Sequence, residues 1–165
     1  MESITHFINN PEHHDVLAII KGFRNGAVYG AKVRFPHALV MTFLFRNESF
    51  KDKINFIIDA TKTHSKNLAF FVTIYKTLMY LQKKINGGKE QNAHSFIAGL
   101  IVARGTIEEP KHTFSIFAAV VWGIVMWLFR HERDTLQPSL QSSMQYLYLD
   151  SDHWYALKNF LWHNK

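Results

Sequence analysis

The chain contains no cysteine, which excludes disulfide bridges and thiolate metal sites. It is also short of acid, with 13 Asp and Glu against 19 Lys and Arg and a formal charge of +6. Ten histidines are present, yet His13-His14 is their one adjacent pair and no HExxH spacing occurs, so no metal site is assigned. A phosphate loop, a dinucleotide fingerprint, a nucleophile elbow and a convincing acid/base carboxylate pair are all missing, which argues against an enzyme and against a cofactor. The basic residues lie scattered between apolar runs instead of along one helix, so nucleic acid is not an expected partner. The opening MESITHFINNPEHHD lacks the basic flank and apolar core of a secretory signal, and the closing HNK is not an SKL-type address. Insertion into a membrane would therefore use internal signals.

What the chain has in excess is aromatics, at 15%, including 14 Phe and 4 Trp. That suits a large core or a membrane-interface belt. A length of 165 residues predicts one domain. The mean hydropathy of -0.11 means that a membrane reading has to find places for the charges.

The organising stretch is Val16–Phe45, in which Gly22, Gly26 and Gly30 fall four residues apart and Ala18 extends the row backwards. On a helix that spacing puts them on one face. Each mid-helix glycine costs about 1 kcal/mol relative to alanine, so three in register imply close backbone approach of another helix, the GxxxG pattern of membrane packing. The same stretch carries Lys21, Arg24, Lys32 and Arg34 with no acid between Asp15 and Glu48. Lys21 and Arg24 should face a partner helix, a polar cavity or the headgroup layer, because lipid would not tolerate them. Pro36 predicts two short helices meeting there.

Downstream, residues 48–66 read as an amphipathic surface helix with Ile54, Ile57, Ile58 and Thr61 on one face. The apolar run that follows is interrupted by Lys76 and closed by a loop at Gly87-Gly88. In Ala93–Ala103 the small residues Ser95, Gly99 and Ala103 repeat the four-residue spacing, though the run is too short to span a bilayer alone. Thr113–Phe129 is the clearest membrane candidate, uncharged throughout and carrying a further small ridge at Ser115, Ala119 and Gly123. Pro138 and SLQSS suggest a linker, and Asp150, Ser151 or Asp152 could cap a tail helix with Trp154, Leu157 and Leu161 on one face. The expected organisation is a polar tail at 1–15, a membrane helical domain at 16–130, and a linker with an aromatic amphipathic tail at 131–165. Gly22, Gly26, Gly30, Gly99, Ala119 and Gly123 are its packing residues.

KGFRNGAVYGAKVRFPHALVMTFLFRN (Lys21–Asn47), VVWGIVMWLF (Val120–Phe129) and TLQPSLQSSMQYLY (Thr135–Tyr148) together resemble the family of inner-mitochondrial-membrane translocase channel subunits, through a peroxisomal branch of that family. The resemblance implies an all-α, multi-pass integral membrane protein of the peroxisome, channel-like and without catalysis. Its implied partners are the lipid bilayer, an import peroxin and further copies of the chain. It also implies that Lys21, Arg24, Lys32 and Arg34 form a basic targeting cluster. In the family a further stretch of about one span follows the segment matching His94–Gly99, whereas here SFIAGLIVARG passes directly to TIEEPKHTF. The alternative is a soluble or monotopic helical interaction module with residues 113–129 as a buried helix.

Overall fold

The computed structural model describes residues 6–106 and 112–162, and all regular structure among them is helical, as the all-α reading expects. Four long helices, α1 (His14–Phe45), α2 (Phe50–Ile85), α3 (Asn92–Thr106) and α4 (His112–His131), precede two short ones, α5 (Pro138–Met144) and α6 (Leu157–Leu161). Between the short helices lie a π-turn, Gln145–Leu149, and a 3-10 turn, Asp150–Asp152.

Pro11 opens a 3-10 turn whose cap, the Asn10 side chain, accepts from the Glu12 amide, and α1 follows with Asp15 in its first turn. Pro36 does not divide α1, contrary to the expectation of two helices. A proline inside a helix removes one hydrogen bond and costs about 3 kcal/mol or more. Here it lies on the exposed side, while the four-residue row continues past it on the buried side through Ala38 and Thr42. Packing of that face overrides the local penalty.

Residues 48–66 are likewise not a separate surface helix; they merge with the apolar run into the single helix α2. Ser49 caps it, accepting from the Asp52 amide at 3.3 Å and donating its hydroxyl to the Asp52 carboxylate at 2.6 Å. Ile57 is buried and Ile54 and Thr61 are half-buried, but Ile58 is exposed. The helix ends in a left-handed turn at Gly87 (φ +63°) and Gly88 (φ +84°), with the Gly88 amide returning to the Lys83 carbonyl at 2.9 Å.

α1 and α2 form one antiparallel hairpin, α3 and α4 a second, and α3 joins them by packing on α2. Within the first hairpin, a Cβ on Gly26 would lie 2.7 Å from the Ala69 Cα, and one on Gly30 would lie 2.7 Å from the Ser65 Cα. As the glycine row advances by four residues, its partners on α2 retreat by four. In the second hairpin Gly99 and Gly123 meet, with a Cβ on Gly99 falling 3.2 Å from the Gly123 Cα, and Ala119 is buried. Ser115 lies outside the described side chains.

The segment read as a linker is structured: Pro138 occupies the first turn of α5, and the chain beyond docks back on the hairpins. Met144, Leu147 and Tyr148 complete a core with Val72 and Tyr75 of α2, Val102 of α3, and Met126 and Phe129 of α4. α6 starts at Leu157 without a side-chain cap, so Asp150–Asp152 form their own turn instead of capping it. Among the described residues no helix is long and apolar enough to cross a membrane. The Thr113–Phe129 run has described side chains only from Ile116 onward.

Candidate functional site

Burial on α1 is partly inverted, since Leu17, Ala18 and Ala38 are covered in the usual way and Lys32 and His37 are exposed. Lys21 and Asn25 are 0% exposed and the glycine row is covered, whereas Val16, Ile20, Val33, Phe35, Val40 and Leu44 face outward. Lys76 on α2 is buried opposite them. A buried ammonium is tolerated only when paired and hydrogen-bonded.

The partners come from the C-terminal segment. Lys21 Nζ donates to the Asp150 carbonyl at 2.9 Å and to the His153 carbonyl, and lies 5.7 Å from the Trp154 ring centre. Asn25 Nδ2 donates to the Tyr146 carbonyl at 2.8 Å. Lys76 Nζ donates to the Tyr148 carbonyl at 3.1 Å, to the Ser151 hydroxyl and to the Asp152 carboxylate. Arg24 reaches the Phe160 carbonyl at 3.3 Å and the Asn159 carbonyl at 3.4 Å. Carbonyls gathered where a helical turn ends carry the negative end of its dipole, which suits cations. The segment thus clamps both helices of the first hairpin from one side.

Trp154 fixes the segment's far end. Its indole donates to the Ile8 carbonyl at 2.9 Å, and its ring stacks on His14 at 4.7 Å and meets Phe160 edge-on at 5.4 Å. Burial pushes the Tyr148 phenol far above its ordinary pKa, so it remains neutral beside Tyr75. Tyr155 and Trp162 point outward.

The four basic residues of α1 are therefore not one patch. Lys21 and Arg24 hold the C-terminal segment, Lys32 is exposed 5.8 Å from the Tyr146 ring, and Arg34 lies half-buried towards His64. Asn25 and Tyr75 escaped the sequence reading, in which Lys76 is only an interruption of an apolar run and Asp152 only a candidate cap. A signal for the α2 partners existed: Thr61, Ser65, Ala69, Thr73 and Thr77 form a four-spaced row of small residues, none of them fully exposed. The charge of Lys76, interrupting an apolar run, was the other.

A second polar group lies at the same end of the bundle. Arg130 at the end of α4 pairs with Glu90 of the α2–α3 loop, with Nε 3.0 Å from Oε1. Together with Asp15, Tyr75, Lys76, Lys83 and Asp152 these residues line a cavity of about 290 Å³.

A helical bundle with glycine-tight hairpins, buried lysines on its first two helices and large apolar side chains exposed on the first defines the class to which the comparisons also point. Residues 14–129 match the model of the Tim17/Tim22/Tim23/Pmp24 family, and the chain belongs to that family. It is 45% identical to Peroxisomal membrane protein 4 of Bos taurus over 196 residues, covering 99% of this chain and 92% of that protein. It is 48% identical to Peroxisomal membrane protein 4 of Homo sapiens over 186 residues, covering 93% of this chain and 87% of that protein. No solved structure matches. In the bovine alignment about 33 of the 196 positions face no residue of this chain, since 99% of 165 residues occupies only the remainder.

Proposed function

We propose that this chain is a multi-pass protein of the peroxisomal membrane that acts as a channel-like, solute-passing component without catalysis. The observation that carries the reading is the partly inverted burial on α1, with lysine, asparagine and glycine inside and Val33, Phe35, Val40 and Leu44 outside. A continuous exposed apolar face beside a buried lysine suits a helix whose outer side is covered by lipid, the cover that this reading assigns to it. The relatives' name, Peroxisomal membrane protein 4, supplies the membrane. Gly22, Gly26 and Gly30 act as the packing ridge of the first hairpin, and Gly99, Ala119 and Gly123 serve the second. Delivery relies on a peroxin that binds the chain before it folds, when Lys21, Arg24, Lys32 and Arg34 are all readable; in the folded state Lys21 is covered. Further copies of the chain assemble in the bilayer around the exposed apolar faces.

The test is reconstitution of the full chain into liposomes loaded with a small polar dye and with a large labelled dextran. Release of the dye with retention of the dextran is expected. Retention of both, equal to that of protein-free liposomes, overturns the channel-like role.

A further inference from the structure

The cavity at the charged end of the bundle has a composition that selects among ligands. Its wall carries three cations, Lys76, Lys83 and Arg130, and three carboxylates, Asp15, Glu90 and Asp152. Lys76 is taken by Asp152, and Arg130 by Glu90. What remains is Lys83, with no ion pair among the described residues, and Asp15, whose one ion pair there is with the adjacent His14 at 3.8 Å, although its charge also acts on Lys76. The Tyr75 hydroxyl is also left over: the residue is 4% exposed, lines the cavity and gives its hydroxyl no hydrogen-bond partner. A buried hydroxyl without a partner costs about 1–3 kcal/mol, which a ligand acceptor would recover.

One cation, one anion and one hydroxyl, in a wall of balanced charge, match a ligand of zero net charge with separated charges. We propose that this cavity binds the zwitterionic headgroup of a membrane phospholipid, with the phosphate against Lys83 and the Tyr75 hydroxyl and the amine against Asp15. This rests on the membrane reading above and adds a ligand to it. The lipid source is favoured by position. The cavity sits at the first turn of α1 and the last turns of α2 and α4, where a bundle meets the headgroup layer. Its wall is partly apolar, with Ala18 and Ile19 of α1 and Met79 of α2 beside the charged groups, a surface for the start of the acyl chains. A singly anionic headgroup would leave Asp15 without an amine to pair with.

The experiment measures binding of dihexanoyl phosphatidylethanolamine and dihexanoyl phosphatidylglycerol to the full chain in detergent. The ethanolamine lipid is expected to bind at least about tenfold tighter, and Tyr75→Phe and Lys83→Met each to weaken it about five- to tenfold. Tyr75→Phe should not lower the thermal unfolding midpoint and should if anything raise it, because the hydroxyl has no protein partner to lose and its burial is costly. Equal affinity for the two lipids, or unchanged affinity in both variants, overturns the proposal. Soluble glycerophosphoethanolamine separates the two sources of the same chemistry. Competition at least about tenfold weaker than the lipid supports a membrane ligand, whereas equal affinity overturns it in favour of a soluble phosphodiester. A chain that is membrane-integral yet shows no lipid preference loses this site while keeping the membrane reading.

Discussion

Gly22 and Gly26 belong to one row but differ in what opposes them. At Gly26 an added Cβ meets backbone, the Ala69 Cα at 2.7 Å and the Leu68 carbonyl at 2.9 Å; at Gly22 it meets the movable Lys76 Cδ at 2.8 Å and Val72 Cγ1 at 3.2 Å. Backbone cannot yield without separating the helices. Gly26→Ala should therefore destabilise the folded chain by about 1–3 kcal/mol in detergent unfolding, and Gly22→Ala by less. Gly26→Leu should abolish crosslinking between cysteines introduced on α1 and α2; normal crosslinking would refute the ridge. Lys76 makes the complementary prediction. Lys76→Ala leaves Asp152 and the Tyr148 carbonyl without their cation and should cost about 3 kcal/mol or more, read as a lowered unfolding midpoint.

Among the elements, the glycine row of α1, the positive-φ turn at Gly87-Gly88 and the apolar stretch of α4 were legible because each is a local pattern: a four-residue period, a glycine pair, an uncharged run. The continuity of α1 through Pro36 was not, because a local rule for proline competes with a long-range face that sequence order does not display. The clamp was illegible for a different reason. Its acceptors are backbone carbonyls of residues 146, 148, 150 and 153, and a carbonyl has no signature in the side-chain alphabet. The polar texture of residues 131–153 hides a segment whose main chain, more than its side chains, binds the hairpin. Truncation after Gln137 tests this. It should expose Lys21 and Lys76 and make α1 and α2 markedly more protease-sensitive, while unchanged protection would show that the hairpin does not need the segment.

At the scale of the molecule, α1 and α2 would extend roughly 48 Å and 54 Å at 1.5 Å per residue, well beyond a hydrocarbon core of about 30 Å. The surplus holds the charged, outward-facing Lys51, Asp52, Asp59 and Lys62 of α2, which belong in water. The relatives' additional positions, about 33 against the bovine protein, are long enough for one more span. On the proposed multi-pass reading, lacking one span would reverse the parity of the crossings, and the C-terminal segment should then lie on the side of the bilayer opposite to that in the longer relatives. Protease protection of a C-terminal tag, compared between the two, reads this out. The proposed membrane role requires the buried Lys21 and Asn25 of α1 to be enclosed by protein while the exposed apolar face of the helix meets lipid. Alkaline carbonate extraction of the tagged chain from isolated peroxisomes puts that to the test: recovery in the membrane pellet is the expected result, and release into the supernatant would contradict it.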